Sequence, residues 1–153
     1  MGFELPASLG VKVACPHEVV WCIAGDGGFQ MTLHEMATAA CEKIAVKVAI
    51  INNGLLGMVR QWQEMFYGKR YVGTQLFGPD FIKLAEAYGI SGMRVTDKKQ
   101  VASAIRKAMA HDGPYVLDFI VEPEENVYPM VPPGASIVEC IEMPKPEAAE
   151  TRR

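Results

Sequence analysis

The chain has 153 residues, a length that predicts one domain, because domains usually contain about 100–200 residues. Apolar residues make up 50% of the sequence and charged residues 22%, the balance of an ordinary globular protein, which excludes a disordered chain. The formal net charge of −3 argues against a general nucleic-acid binder, since such a protein would carry a basic excess. No apolar run approaches the ~18 residues needed to cross a bilayer, so we expect no membrane partner.

The cysteines and the N-terminal residues indicate a compartment. The sequence has no C-x-x-C pair and no zinc-ligand spacing, so we expect reduced and mostly buried thiols. The residues concerned are Cys15, Cys22, Cys41 and Cys140. The N-terminus lacks the basic and apolar regions of a secretory signal, so a cytoplasmic location is expected.

The first predicted elements are a helix, a buried strand and a second helix. Small and apolar residues over 1–14 favour a short helix. The β-branched run Val19–Ala24 predicts a buried strand, which ends at the glycine-rich turn Gly25–Gly28. Thr-Leu-His-Glu at 32–35 has the pattern of a capping box and opens a helix that runs to about Glu42.

A second strand–turn–helix unit follows. Ala45–Ile51 is rich in Val and Ile and predicts another buried strand, which ends at Asn-Asn-Gly over 52–54. A helix is predicted over Leu56–Tyr67, and Gly68–Gly78 has the composition of a loop. Asp80 is expected to cap the next helix, which continues through Tyr88.

The remaining elements complete the alternation of strands and helices. Gly92–Val95 predicts a short strand, and a long helix begins after a cap at Thr96 or Asp97. Tyr115–Val121 is the last predicted strand, and the chain is proline-rich from Glu122 onward. Apolar strands that alternate with helices predict an α/β doubly wound domain, with a mostly parallel sheet and helices on both faces.

Two turns carry the residues that could bind a ligand. In such sheets ligands bind at the carboxyl ends of the strands, which here lead into Gly25–Phe29 and Asn52–Gly57. The first turn offers the carboxylate of Asp26 among glycines, and the second offers two carboxamides. Glycine lets the backbone approach an anion closely, and Mg²⁺ prefers hard oxygens together with the phosphates of a bound ligand. Gly-Asp-Gly alone is also typical of a structural turn, and neither G-x-G-x-x-G nor a Walker A loop is present.

The pair of turns resembles a known motif. Gly25-Asp26-Gly27, followed 24 residues later by Asn52-Asn53, is similar to the thiamine diphosphate motif. Five stretches resemble the catalytic large subunit of acetolactate synthase (acetohydroxyacid synthase), specifically its C-terminal thiamine diphosphate-binding domain. They are residues 1–7, 25–31, 57–63, 123–130 and 131–135. The resemblance implies the thiamine diphosphate-binding fold over 1–141, and we expect 142–153 to be a disordered tail.

The resemblance also implies a role for individual residues. Asp26 and Asn53 would bind Mg²⁺ through side-chain oxygens, and Leu55 through its backbone carbonyl. Met58, Val59 and Trp62 would line the substrate pocket. The implied cofactor-binding residues are Met1, Gly25, Asp26, Gly27, Gly28, Phe29, Asn53, Leu55, Leu56, Gly57 and Met58. Position 28 departs from the family, which usually has Ser there, so one hydroxyl to the phosphate is lost.

The implied reaction is a condensation in branched-chain amino acid biosynthesis. Pyruvate is decarboxylated and added to pyruvate or 2-ketobutyrate, which gives acetolactate or acetohydroxybutyrate. The family enzyme also has a pyrimidine-binding domain with the catalytic Glu and a middle domain that binds FAD, and no Glu of this chain matches that motif. The resemblance therefore implies no catalytic residue in this chain and no turnover by the chain alone. It further implies a partner's pyrimidine-binding domain, a homo-oligomer and a regulatory subunit, with an organelle as the alternative location.

Other interpretations stay open at this stage. The chain could belong to another thiamine diphosphate-dependent 2-keto acid decarboxylase or oxidase, or it could be a non-catalytic assembly or regulatory domain of the same fold. Met58 and Trp62 share a helix face, which is typical of core as well as of a pocket. Arg60 and Glu64 are expected to form a solvated pair. The resemblance predicts that Pro123–Pro133 is ordered and packs back near the active site.

Overall fold

A computed structural model describes residues 1–144, and its strands form one parallel sheet. The strands are β1 (Trp21–Gly25), β2 (Lys47–Asn52), β3 (Ser91–Val95) and β4 (Tyr115–Ile120), in the spatial order β1-β2-β4-β3. Each of the predicted strands is present. β1, β2 and β4 are runs of mostly apolar residues, which suit strands that are covered on both faces. The fold class is thus confirmed as α/β. Residues 145–153, most of the predicted tail, lie outside the described residues.

The helices are shorter and more broken than predicted. They are α1 (Glu4–Ala14), α2 (Asp26–Gln30), α3 (Met36–Cys41), α4 (Gly57–Phe66), α5 (Phe81–Ala87) and α6 (Val101–Ala110). Single 3₁₀ turns occur at Leu33–Glu35, Lys98–Gln100 and Ile137–Glu139. Among the described residues no helix combines the length and the apolar character that crossing a membrane requires.

The sheet has packed helices on both faces. Val116 of β4 contributes to a core with Leu5 of α1, Met36 of α3 and Phe81 of α5. Its neighbour Leu117 points the other way, because side chains alternate along a strand. Leu117 belongs to a second core on the opposite face of the sheet, which α6 covers. Its buried residues are Ala104 and Ala108 of α6, Tyr115 and Leu117 of β4, and Val95 of β3.

Two local predictions are wrong. Thr32 makes no capping hydrogen bond, and its buried hydroxyl has no partner among the described residues. The Glu35 N–H instead donates to the backbone carbonyl of Thr32 at 2.9 Å, which closes a 3₁₀ turn in place of a capping box. The thiols are not mostly buried, because only Cys22 lies in the core. Cys15 follows the end of α1 and Cys41 ends α3, and both face solvent.

The predicted cap of α5 is confirmed and joins an ion pair. The Asp80 carboxylate accepts the N–H groups of Ile82 at 3.1 Å and Lys83 at 3.3 Å. It also accepts a hydrogen bond of 2.9 Å from the guanidinium of Arg94 in β3. The hydrogen bond from Lys83, the charge of Arg94 and the bond from Ile82 together lower the pKa of Asp80. Ionised Asp80 therefore stabilises the folded chain.

We expect Asp80→Asn to remove a pH-dependent part of the stability while keeping the helix cap, since Asn also caps helices. A depressed carboxyl pKa stabilises the folded state above the unfolded pKa, and this stabilisation is lost as the pH falls through the folded value. The melting temperature of the wild type should exceed that of the variant at pH values above the ordinary carboxyl pKa, and the difference should shrink as the pH falls below it. Thermal unfolding at a series of pH values measures this, and a difference that is independent of pH would contradict it.

Candidate functional site

The two predicted turns lie side by side at the carboxyl edge of the sheet. Strands β1 and β2 are neighbours, and Gly25 pairs with Ile51 in their parallel register. Asp26 follows β1 directly, and the backbone N–H of Gly54 donates to its carboxylate oxygen Oδ2 at 3.1 Å. One hydrogen bond therefore joins the two turns.

Asp26 is a buried carboxylate without a cation. It is 4% exposed, and no Lys, Arg or His nitrogen lies within 4 Å of it in the part of the chain that the structure describes. Burial raises the pKa of Asp26, and the N–H groups of Gly27 and Gly54 offset this only in part. A buried anion of this kind is stabilised by pairing with a cation.

The second turn is held in shape by its own side chain and by the loop behind it. The Asn53 oxygen Oδ1 accepts the N–H of Leu55 at 3.0 Å, and Gly54 has a positive φ of 69°. The backbone N–H of Leu56 donates a hydrogen bond of 2.7 Å to the backbone carbonyl of Thr74. The segment Gly68–Gly78, predicted as a loop, thus packs behind the second turn and supports it without lining the cleft.

A cleft of about 530 Å³ opens between the two turns and the start of α1. Every predicted cofactor-binding residue except Phe29 lines this cleft. They are Met1, Gly25, Asp26, Gly27, Gly28, Asn53, Leu55, Leu56, Gly57 and Met58. Phe29 is 1% exposed and its ring lies edge-on to Phe81 at 5.7 Å, so its side chain belongs to the core.

Two of the three residues predicted for the substrate pocket line the cleft, and the third lies outside its lining. Met58 and Val59 line the cleft. Trp62 lies one turn further along α4, is 38% exposed and packs edge-on against Phe66 at 5.7 Å. The lining also includes Glu4, Met31 and Ile51, which the sequence did not indicate.

Close packing explains why position 27 is a glycine. A Cβ atom there would lie 2.9 Å from Leu76 Cδ1 and 3.1 Å from Leu56 Cδ2. The first distance is shorter than real Cβ contacts and the second is unusually tight, so a Cβ at this position would require the two leucine side chains to move. The absence of a side chain lets the second turn and its supporting loop approach the start of α2.

A network of buried polar side chains, which was not predicted from the sequence, holds the end of β2 just before the second turn. Asp118 of β4 is fully buried, and its Oδ1 accepts a hydrogen bond of 3.0 Å from Asn52 Nδ2. Its other oxygen, Oδ2, accepts a hydrogen bond of 2.9 Å from Arg94 Nε. Burial of charge is tolerated here because the carboxylate has both a cation and a hydrogen-bond donor. The network runs from the cap of α5 through β3 and β4 to the end of β2.

The comparison with family models identifies the domain. Residues 1–119 match the model described as "Thiamine pyrophosphate enzyme, C-terminal TPP binding domain". The chain belongs to this family. The predicted resemblance to the acetolactate synthase large subunit is confirmed by curated relatives of that name.

Relatives of this TPP-binding domain are much longer proteins. The chain is 52% identical over 136 residues to acetolactate synthase of Arthrospira platensis, which covers 88% of the chain and 24% of that protein. It is 46% identical over 143 residues to the acetolactate synthase isozyme 2 large subunit of Escherichia coli, an alignment that covers 93% of the chain and 26% of that protein. A solved thiamine diphosphate-dependent 4-hydroxybenzoylformate decarboxylase of Rhodococcus jostii RHA1 is similar with a TM-score of 0.75 and 32% identity, over 82% of the chain and 24% of that protein. The chain thus spans about a quarter of the length of these relatives.

The proline-rich segment, predicted to pack near the active site, contacts α4, the helix that begins at the cleft. Gln61 is 1% exposed, and its side chain donates to the Val127 carbonyl at 2.9 Å and accepts from the Val127 N–H at 2.8 Å. Arg60 donates to Asn126 Oδ1 at 3.0 Å. The helix that lines the cleft therefore also holds the segment.

The expectation of a solvated Arg60–Glu64 pair is wrong. The side chain of Arg60 is 8% exposed and that of Glu64 is 21% exposed, at 2.7 Å from each other. The guanidinium also lies 5.7 Å from the centre of the Tyr71 ring. The segment at 126–130 and the loop at 68–78 cover the pair, so helical spacing alone did not reveal its burial.

We expect Gln61→Ala to destabilise the domain by about 2–4 kcal/mol, because it leaves the Val127 N–H and carbonyl unpaired and opens a small cavity. Urea unfolding measures the loss. Gln100→Ala, at an exposed glutamine next to α6, is the control and should change stability by less than about 0.5 kcal/mol. Equal effects of the two substitutions would contradict the role of Gln61.

Proposed function

We propose that this chain forms the diphosphate- and Mg²⁺-binding half of an acetolactate synthase active site, with residues 1–141 as the domain. The observation that supports this most strongly is the buried Asp26 carboxylate, which touches both turns and has no cationic side chain within 4 Å among the described residues. Residues 1–144 contain no group of three His, Cys, Asp or Glu side chains that could hold a metal. A cation at Asp26 would therefore depend on mixed oxygen ligands and on the oxygens of a bound ligand.

The donors at the cleft fit Mg²⁺ and a diphosphate. Mg²⁺ takes one or two carboxylate or carbonyl-type oxygens together with waters and phosphate oxygens. Asp26, Asn53 and the Leu55 carbonyl are the proposed ligands. Gly27, Gly28 and the Phe29 backbone lie in the first turn of α2 and would meet the phosphates, because the start of a helix favours anions.

The apolar part of the cleft would hold the rest of the cofactor. Met1, Leu56, Gly57 and Met58 lie along it, and Leu56 packs close to Gly27, which limits the access of water. Thiamine diphosphate, when bound, supplies the carbon nucleophile and the electron sink for decarboxylation of a 2-keto acid. Val59 would contact the substrate in the same cleft, and Trp62 would do so from the next turn of α4.

The proposed half-site would be completed by groups from outside these 153 residues. We propose that a pyrimidine-binding domain provides the catalytic Glu, that FAD binds outside this chain, and that the assembled enzyme is a cytoplasmic homo-oligomer with a regulatory subunit. The substrates would be pyruvate with pyruvate or 2-ketobutyrate. The chain alone would bind cofactor without turnover.

Two other functions are weaker. A 2-keto acid decarboxylase is suggested by the name of the Rhodococcus neighbour, but relatives at 46% and 52% identity are named acetolactate synthase. A non-catalytic domain would not need Asp26 and Asn53, and both are present at the cleft.

We expect Asp26→Asn to abolish the Mg²⁺-dependent binding of thiamine diphosphate without unfolding the chain. Mutation of a residue that hydrogen-bonds to a metal ligand lowers metal affinity about 10–100-fold. Removal of the charge of a ligand itself should therefore lower it by at least about 100-fold. The melting temperature without cofactor should stay equal or rise, because burial disfavours the charged carboxylate. Calorimetric titration with and without Mg²⁺ and thermal unfolding measure the two effects.

Asp112→Asn is the matched control, since Asp112 is exposed in the turn before β4. Saturable binding by the wild type and this control, but not by Asp26→Asn, is the expected result. Binding that is unaffected by Asp26→Asn would sink the proposed metal site.

We also expect acetolactate as the product when a pyrimidine-binding domain and an FAD-binding domain of the family are supplied in trans with pyruvate, Mg²⁺, FAD and thiamine diphosphate. The measurement is the ratio of acetolactate to acetaldehyde, with a mixture that lacks this chain as control. Acetaldehyde as the main product would favour the decarboxylase function. No product from a mixture in which the chain binds cofactor would favour the non-catalytic domain.

A further inference from the structure

The cleft contains a second carboxylate, which belongs to Glu4. This residue begins α1 and lines the same cleft as Asp26 and Gly28. Its oxygen Oε2 is buried and accepts no hydrogen bond from any described residue. None of the Lys, Arg and His nitrogens in residues 1–144 lies within 4 Å of it.

A buried carboxylate oxygen without a donor is costly and calls for an explanation. An ionised carboxylate can only accept hydrogen bonds. Among the described residues, neither α1 nor any other element supplies a donor to this oxygen. Because Glu4 lines the cleft, a group bound there would bring a donor near this carboxylate.

The carboxylate of Glu4 occupies the space of a side chain at position 28. A Cβ atom on Gly28 would lie 2.9 Å from Glu4 Oε1 and 3.5 Å from its Cδ atom. Gly28 is buried, and the three atoms nearest to such a Cβ all belong to the carboxyl group of Glu4. The wall of the cleft next to the proposed phosphate site is thus provided by α1.

We propose that Glu4 is a further cofactor-contacting residue, whose free oxygen accepts a hydrogen bond from a water molecule carried by the Mg²⁺–diphosphate group. The inference rests on the proposed function of the cleft. Direct contact between a carboxylate and a phosphate oxygen would be repulsive, so a donor must lie between them. Mg²⁺ retains several of its waters when it binds phosphates, and these waters are hydrogen-bond donors.

The test is calorimetric titration of Mg²⁺ and thiamine diphosphate into the 153-residue chain and its variants. Glu4→Ala should weaken binding about tenfold, because hydrogen bonds to charged groups are the stronger kind. Glu4→Gln should stay within about threefold of the wild type, because its amide oxygen keeps the acceptor. Glu86→Ala removes an exposed charge from α5, outside the cleft, and should change nothing.

A second pair of variants tests the shared space. Gly28→Ser should weaken binding by displacing the Glu4 carboxylate, whereas Glu4→Ala/Gly28→Ser should bind no worse than either single variant. This non-additivity is the expected sign of two positions in contact. Urea unfolding of the cofactor-free variants, in which Gly28→Ser is destabilised and the double variant is not, measures the same contact without ligand.

The outcomes separate this inference from the proposed function. A wild-type chain that binds no cofactor overturns both. If the wild type binds the cofactor and Glu4→Ala binds it equally well or more tightly, only the role of Glu4 is overturned. Removal of a carboxylate that merely repels the diphosphate would improve binding. Additive effects at positions 4 and 28, or a Glu4→Gln variant as weak as Glu4→Ala, would also overturn it.

Discussion

The hydrogen bond of 3.1 Å from the Gly54 N–H to the Asp26 carboxylate is the contact on which the site depends. It joins turns that are far apart in sequence but leave neighbouring parallel strands. The acceptor is buried, and burial raises its pKa. The group that joins the two turns is therefore also a buried anion with no cationic side chain within 4 Å among the described residues, so the proposed metal site would use the same carboxylate that assembles the cleft.

Support for this contact comes from across the sheet. Because β2 and β4 are neighbours, Asn52 at the end of one strand reaches Asp118 in the other, and Arg94 of β3 completes the charge balance. The same arginine binds Asp80 at the start of α5. The second turn is thus positioned by polar groups on three strands and a helix, none of which lines the cleft.

Strands and their terminal turns could be predicted because their signals are local. Runs of β-branched residues mark buried strands, and Asp80 precedes α5 with the usual pattern of a cap. Helix α2 could not be predicted, because Asp-Gly-Gly-Phe-Gln has two glycines and poor intrinsic helix propensity. Its first turn forms because β1 and the cleft residues fix the chain there.

The burial of polar side chains was harder to foresee. Arg60 and Gln61 look solvated in a helical pattern, and their partners Asn126 and Val127 lie 66 residues further along the chain. Glu4 is likewise an ordinary acidic first residue of a helix until α2 is placed beside it. The resemblance supplied nearly all of the residues that line the cleft, but not the contacts that support them.

The pairing of Gln61 with Val127 has a consequence for how the domain opens. A segment with hardly any regular secondary structure usually exchanges its amide hydrogens quickly, yet the Val127 amide is bonded to a side chain that is almost inaccessible to water. Release of this segment would require α4 to loosen, since one fully buried glutamine serves both. The chain around Val127 and the helix that carries Met58 should therefore behave as one cooperative unit in native-state exchange, so that the cleft wall is as stable as the segment behind it.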